Sequence, residues 1–179
     1  MSLILVTGGV RSGKSGFAEE LASETGKRVL YVATGEAKDE EMLSRIALHR
    51  SRRPAEWGCA EIPLYLSQSI QSAQEYEVVL IDCLSTWVSN RLMSVPEQEW
   101  RSETITQEIY DEAKAWLDGV AASSQTVIAV TSEVGLGGVA MSRLGRWFAD
   151  VLGDVNQMVG RHADTVYAVW SGIPWRIKG

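Results

Sequence analysis

Short unbroken apolar runs alternate along this chain with longer stretches in which apolar residues recur every three or four positions. The runs lie at 3–6, 29–33, 78–81 and 126–130, and each suits a strand covered on both faces of a sheet. The first helical stripe is Phe17, Ala18, Leu21 and Ala22, with Gly26 as its stop. A second helix is predicted from Asp39 to Arg53, where Met42, Leu43, Ile46, Ala47 and Arg50 keep the period. Residues 59–62 predict a short strand, 64–70 a short helix, and 83–90 the loop and helix after the third run. Ser94 and Glu97 have capping-box spacing and predict the start of a long helix reaching about Val120, with Ile105, Ile109, Ala113, Trp116 and Leu117 on its core face. Leu144, Trp147, Phe148, Val151, Leu152, Val155 and Val159 mark a strongly amphipathic helix whose polar residues Arg143, Arg146, Asp150, Asn156 and Gln157 are available for a site or a subunit contact. Residues 165–170 and 173–178 read as a final hairpin, its last strand confined to an edge by Pro174. The alternation predicts an α/β fold: a mainly parallel central sheet flanked by helices, with a C-terminal antiparallel edge hairpin.

The first apolar run leads directly into G-x-x-x-x-G-K-S, formed by Gly8, Gly9, Val10, Arg11, Ser12, Gly13, Lys14 and Ser15, and helix formers follow at once. Buried strand, glycine loop and helix in that order are the context of a phosphate-binding P-loop. The glycines let consecutive N–H groups point at an anion, and the helix adds the positive end of its dipole. Lys14 reaches the β- and γ-phosphates, and the Ser15 hydroxyl is placed to ligate Mg²⁺. The third run ends in Asp82, a Walker B arrangement that holds the same Mg²⁺ directly or through water. The fold expected is therefore that of P-loop NTPases, with residues 1–179 forming a single nucleotide-binding domain.

Charge and cysteine content narrow the setting. A net charge of −6 argues against a general nucleic-acid surface, which needs a basic face. Cys59 and Cys83 are the only cysteines and lack metal-ligand spacing, so they read as reduced thiols of a cytoplasmic protein. Residues 2–6 are too short for a signal peptide, and no apolar run approaches the ~20 residues of a transmembrane segment.

Loops after parallel strands gather at one sheet edge, where ligands bind. Thr34, Gly35 and Glu36 after the second run should therefore lie near the P-loop. So should the glycine-rich loop 131–138, as ligand contact, mobile segment or plain connection. The stretch 45–54 carries Arg45, Arg50, Arg52 and Arg53 around His49. It reads either as a solvated basic helix end or, with Ser51, as a grip on a triphosphate. Surrounding positive charge would keep the His49 imidazole neutral, and a neutral imidazole beside bound phosphates can act as a nucleophile. The other histidine, His162, reads as a solvent-facing residue near a helix end.

With these pieces in order, the chain resembles the bifunctional adenosylcobinamide kinase / adenosylcobinamide-phosphate guanylyltransferase family. The resemblance runs nearly end to end: the P-loop, Tyr31 to Thr34, Asp39 to Met42, Arg45 and Ile46, His49, Arg53 and Pro54, Trp57, Glu61, Asp82 to Leu84, Trp87 to Asn90, Thr131 to Gly135, Val155 to Gln157, and Ser171 with Gly172. It implies that ATP or GTP phosphorylates the alcohol of adenosylcobinamide. GMP from GTP then passes through a guanylyl-histidine, matched by His49, to adenosylcobinamide phosphate. The resemblance further implies Mg²⁺, a homotrimer, and a segment from Ala37 to Trp57 that folds over the nucleotide. Glu61 and Asp82 are the candidate bases of the kinase step. The chain departs from the family pattern at Gly137, Gly138, Val139 and Ala140, at Ala149, and at Asp82, where some relatives carry Glu.

Two other readings fit parts of the sequence. A P-loop small-molecule kinase would use Lys14, Ser15 and Asp82 and leave His49 incidental. A nucleotide-dependent switch would show loop ordering without acceptor turnover; the absence of an Asn-Lys-x-Asp guanine reader counts against it.

Overall fold

Every expected apolar run is a strand of one seven-stranded sheet in the computed structural model, which describes residues 2–35 and 53–179. The strands are β1 (Ser2–Gly8), β2 (Val29–Ala33), β3 (Gly58–Glu61), β4 (Val78–Asp82), β5 (Thr126–Val130), β6 (Thr165–Trp170) and β7 (Ile173–Lys178). Their order is β3-β2-β4-β5-β1-β6-β7; only the β6–β7 pair is antiparallel. The helices among the described residues are α1 (Lys14–Glu24), α2 (Gln68–Gln71), α3 (Leu84–Met93), α4 (Glu103–Ala122) and α5 (Arg143–His162).

Strand periodicity divides the core into two layers. Leu3, Leu5, Leu30, Val32, Val79, Ile81, Val127 and Ala129 face one side, against Trp87, Trp116, Trp147 and other residues of α3, α4 and α5. Val6, Val29, Tyr31, Val78, Leu80, Ile128 and Val130 face the other, against Ala18 and Ala22 of α1. This explains why the central strands read as continuous apolar runs.

The long α4 begins later than expected. Ser94 and Glu97 lead only into a 3-10 turn at Glu97–Glu99, and the true cap is Ser102, whose hydroxyl accepts from Ile105 N–H at 3.5 Å. Trp100 is extended at ψ 135, with its indole N–H bonded to the Val95 carbonyl, and Arg101 is left-handed at φ 67. A helix cannot run through such a pair. The predicted short helix 64–70 shrinks to α2, and the short strand starts one residue early, at Gly58. Pro174 sits on β7 opposite Val169, at the sheet edge as expected. The helix expected from Asp39 to Arg53 lies, apart from Arg53, outside the described residues.

The parallel strands bring their carboxyl ends to one edge. Ala33, Asp82, Val130 and Val6 form a single row in register. Backbone bonds continue past it, from Thr34 N–H to the Asp82 carbonyl (3.2 Å), Thr131 N–H to Val6 (2.9 Å) and Glu133 N–H to Gly8 (3.1 Å).

Candidate active site

Gly8, the last residue of β1, leaves no room for a side chain: a Cβ there would lie 2.5 Å from the Val169 carbonyl and 2.6 Å from Ser12 Oγ. The chain then loops out through Gly9 and the exposed Val10, passes Arg11 at φ 56, and enters α1 from Gly13 at φ 96. The Gly9 carbonyl accepts from Ser12 N–H (3.2 Å) and from Lys14 Nζ (3.1 Å). These bonds fold the loop into a tight cradle. The Gly172 N–H, in the β6–β7 turn, donates to the Ser12 carbonyl at 2.8 Å and clamps the loop from outside.

The cradle can accept an anion. No side chain caps α1, no acidic residue lies in its first turn, and Ser12 Oγ is buried without a partner among the described residues. Uncapped N–H groups at a helix start attract negative oxygen atoms.

Asp82 ends β4 facing the start of α1. Its Oδ1 accepts from Ser15 Oγ at 3.2 Å, and its Oδ2 accepts from Tyr31 Oη at 3.0 Å. Burial first, and then the Asp82 charge, push the Tyr31 phenol far above its usual range, so it stays a donor. Ser15 and Asp82 fit Mg²⁺, which takes hard oxygen ligands and is commonly held by one or two carboxylates plus substrate phosphates and water. Among the described residues no cluster of three or more His, Cys, Asp or Glu could hold a metal alone, so phosphate oxygens would complete the shell.

Other expected site residues take different places. Thr34 is fully buried, and its hydroxyl donates to the Cys83 carbonyl and accepts from Cys83 N–H, both at 2.8 Å. Its side chain therefore braces the turn after Asp82. Gly35 follows at the same edge, with Thr86 of α3 beside it. Arg53 stacks on Tyr31, 3.2 Å from the ring centroid, and pairs with Glu19 of α1 at 3.1 Å. Its guanidinium thus supports the tyrosine that supports Asp82. Glu61 is exposed at the end of β3, and β2 lies between it and Asp82. Glu36, His49, Arg50, Ser51 and Arg52 lie outside the described residues. Asn156, expected to be available for a contact, is instead buried; it accepts from Thr131 Oγ1 (2.6 Å) and donates to the Ser132 carbonyl (3.0 Å), tying the loop after β5 to α5. His162 is exposed, its Nδ1 donating to the Met158 carbonyl.

Two residues of the site had no individual role in the sequence analysis, though each lies in a stretch it singled out. Tyr31 was one letter in an apolar run, and only strand order turns its hydroxyl toward Asp82. Glu133 follows β5 beside the P-loop; its carboxylate accepts from Thr7 Oγ1 at 2.7 Å, and its N–H binds Gly8. A carboxylate just past a strand end was the available signal.

Comparison with known proteins agrees with this geometry. Residues 4–177 match the family described as cobinamide kinase / cobinamide phosphate guanyltransferase. The bifunctional adenosylcobalamin biosynthesis protein CobU of Escherichia coli is 40% identical over 181 residues, covering 98% of this chain and 99% of that protein. CobU of Salmonella typhimurium is likewise 40% identical, over 98% and 99%. The corresponding protein CobP of Pseudomonas aeruginosa is 38% identical, over 98% and 96%. The solved RadB recombinase shares the fold at a TM-score of 0.50 and 17% identity, covering 93% of this chain and 73% of that one. A G-x-x-x-x-G-K-S loop with its Ser15–Asp82 pair, in a chain matched nearly end to end, makes this protein a member of the cobinamide kinase / cobinamide phosphate guanyltransferase family, a bifunctional kinase and nucleotidyltransferase.

Proposed function

We propose that the protein phosphorylates adenosylcobinamide with ATP or GTP and then guanylylates the phosphate through His49. The observation that carries this reading is the Ser15–Asp82 contact of 3.2 Å at the mouth of the uncapped α1, within a chain matched over residues 4–177. In the first reaction the alcohol oxygen of the acceptor bonds to the γ-phosphorus, the bond to the β-bridging oxygen breaks, and the alcohol proton passes to a carboxylate. Glu133 suits that role better than the other carboxylates of the edge. Thr7 holds it beside Gly8, whereas Asp82 is engaged by Ser15 and Tyr31, and Glu61 stands beyond β2.

In the second reaction the His49 imidazole bonds to the α-phosphorus of GTP and pyrophosphate leaves. The phosphate of the acceptor then displaces the imidazole to give adenosylcobinamide-GDP. Splitting the substitution in two lets each half use the same bound charge. The P-loop N–H groups from Gly8 to Ser15 and the Lys14 ammonium offset charge on the phosphates. Bound Mg²⁺, held by Ser15 and Asp82, would supply further charge neutralisation. Arg50, Ser51 and Arg52, adjoining His49 in sequence, belong to the same nucleotide contact in this reading.

A homotrimer is part of the proposal. Trp170, Ile173, Trp175 and Ile177 of the β6–β7 hairpin are exposed apolar side chains of the kind a subunit contact buries, and sedimentation equilibrium would measure the assembly.

The deciding experiment incubates the protein and His49→Ala with Mg²⁺ and GTP radiolabelled at the α-phosphate, without corrinoid. Acid-labile, base-stable label on the wild type alone is expected. Unlabelled wild type that still phosphorylates cobinamide would leave a kinase without the transferase step.

A further inference from the structure

A charged cavity of about 520 Å³ opens where α4 and α5 begin, beside the loop that follows β5. Arg101, Arg143 and Arg146 line it with Val139, Ala140 and Ala149. Arg101 precedes α4, and Arg143 and Arg146 stand in the first turn of α5.

The arginines are arranged to present charge. Among the described residues each has a single terminal nitrogen engaged. Arg143 donates to the Trp100 carbonyl (2.8 Å), and Arg146 to the carbonyls of Ala140 (3.0 Å) and Met141 (2.8 Å). Neutral carbonyls orient a guanidinium without cancelling it. Among the described residues only Arg101 meets a carboxylate, Asp150 at 3.0 Å. Three arginines against one aspartate make the cavity positive, in a chain whose net charge is −6. Arg101 reaches it from a left-handed backbone at φ 67, a conformation unfavourable for a residue with a Cβ.

The loop beside it has the opposite chemistry. Val139, which lines the cavity, and its loop neighbours Leu136 and Met141 are 84%, 73% and 96% exposed. An anionic pocket-filler with an apolar body beside it matches both surfaces.

One loop joins this cavity to the P-loop. It leaves β5 with Thr131 bonded to Val6 and Glu133 bonded to Gly8, and Arg146 holds its far end through the carbonyls of Ala140 and Met141. A ligand seated among the arginines therefore lies along the loop that frames the nucleotide.

We infer that this cavity binds the phosphorylated acceptor: its phosphate on Arg143, Arg146 and Arg101, its bulky apolar body over Leu136, Val139 and Met141. The inference rests on the bifunctional reading and names a site for its second substrate. The guanidinium fork suits a phosphate, which accepts paired charge-assisted hydrogen bonds. An unphosphorylated alcohol offers the arginines no charge. The site thus discriminates the two acceptors and favours retention of the kinase product for the second reaction.

The test compares steady-state KM values for cobinamide phosphate and GTP in the guanylyltransferase assay and for cobinamide in the kinase assay. Wild type, Arg143→Gln and Arg143→Lys are measured, with cobinamide phosphate binding followed by calorimetry without nucleotide. Arg143→Gln should raise the ratio of the two KM values about tenfold and weaken calorimetric binding to match. Arg143→Lys should recover part of the loss, because it keeps the charge but not the fork. A parallel rise of both KM values, or a rise confined to GTP, would overturn the inference, as would unchanged binding by Arg143→Gln and by Arg101→Gln/Arg143→Gln together. Wild type that turns over neither corrinoid would instead sink the proposed function.

Discussion

Tyr31 Oη donates to Asp82 Oδ2 at 3.0 Å, on the side of the carboxylate away from the Ser15 hydroxyl that donates to Oδ1. The carboxylate is therefore oriented from both sides, with one oxygen toward the phosphate cradle. Arg53, stacked on the tyrosine ring and paired with Glu19, keeps the donor in place. Tyr31→Phe keeps the ring under Arg53 and removes only the donor. Hydrogen bonds to charged groups are worth about 1.5–3 kcal/mol, so Mg²⁺-dependent ATP binding should weaken by about tenfold or more, with binding in EDTA little affected. Titration of tryptophan fluorescence with and without Mg²⁺ checks the split.

The glycines on either side of the Lys14–Ser15 pair differ in what they tolerate. Gly13 has φ 96, and a Cβ there would lie 3.2 Å from Gly172 Cα; Gly16 sits inside α1 with nothing within 4 Å of its Cβ position. Gly13→Ala should cost about 1–2 kcal/mol through the left-handed backbone alone. Gly16→Ala should stabilise the folded chain by up to about 1 kcal/mol, because alanine favours a helix interior. Urea denaturation of both variants gives the two signs.

Two buried tryptophans separate packing from hydrogen bonding. Trp87 Nε1 donates to the Leu64 carbonyl at 2.9 Å, whereas Trp116 Nε1 is buried with no partner among the described residues. Both side chains are fully buried. Trp87→Phe loses a bond and strands a carbonyl, at about 1–3 kcal/mol beyond the lost volume. Trp116→Phe removes an unpaired N–H and should be the milder change. Thermal melts of the pair decide it.

Tyr110 contributes an alkaline limb to stability. Partial burial, then its 2.6 Å hydrogen bond to Asp154 Oδ2, raise its pKa above the ordinary phenol value. The unfolded chain then loses this proton first as pH rises. The contribution is fully present below about pH 10 and is lost progressively above it. Tyr110→Phe should flatten the decline of folding free energy above pH 10, measured by urea denaturation across that range.

Much of this protein is legible in one dimension because its signals are local. Apolar runs mark strands covered on both faces, since α1 packs on one side of the sheet and α3, α4 and α5 on the other. The P-loop spacing, the carboxylate closing β4 and Pro174 at the edge depend on neighbours a few residues away. The late start of α4 was hidden because Ser94 and Glu97 satisfy the capping spacing, while the extended Trp100 and the left-handed Arg101 break the helix through contacts that spacing does not encode.

The sequence by itself determined the fold class, the glycine loop between β1 and α1 and the carboxylate that closes β4, for short-range periodicity and steric demands on glycine need no long-range partner. Tertiary structure alone decided which side chains meet. It set Tyr31 against Asp82, 51 positions apart, and Glu133 against Thr7, 126 apart. It also gathered Arg101, Arg143 and Arg146 around one cavity. The physical reason is strand order. Inserting β5 between β4 and β1 and bringing the ends of parallel strands to one edge creates neighbours that no local pattern records.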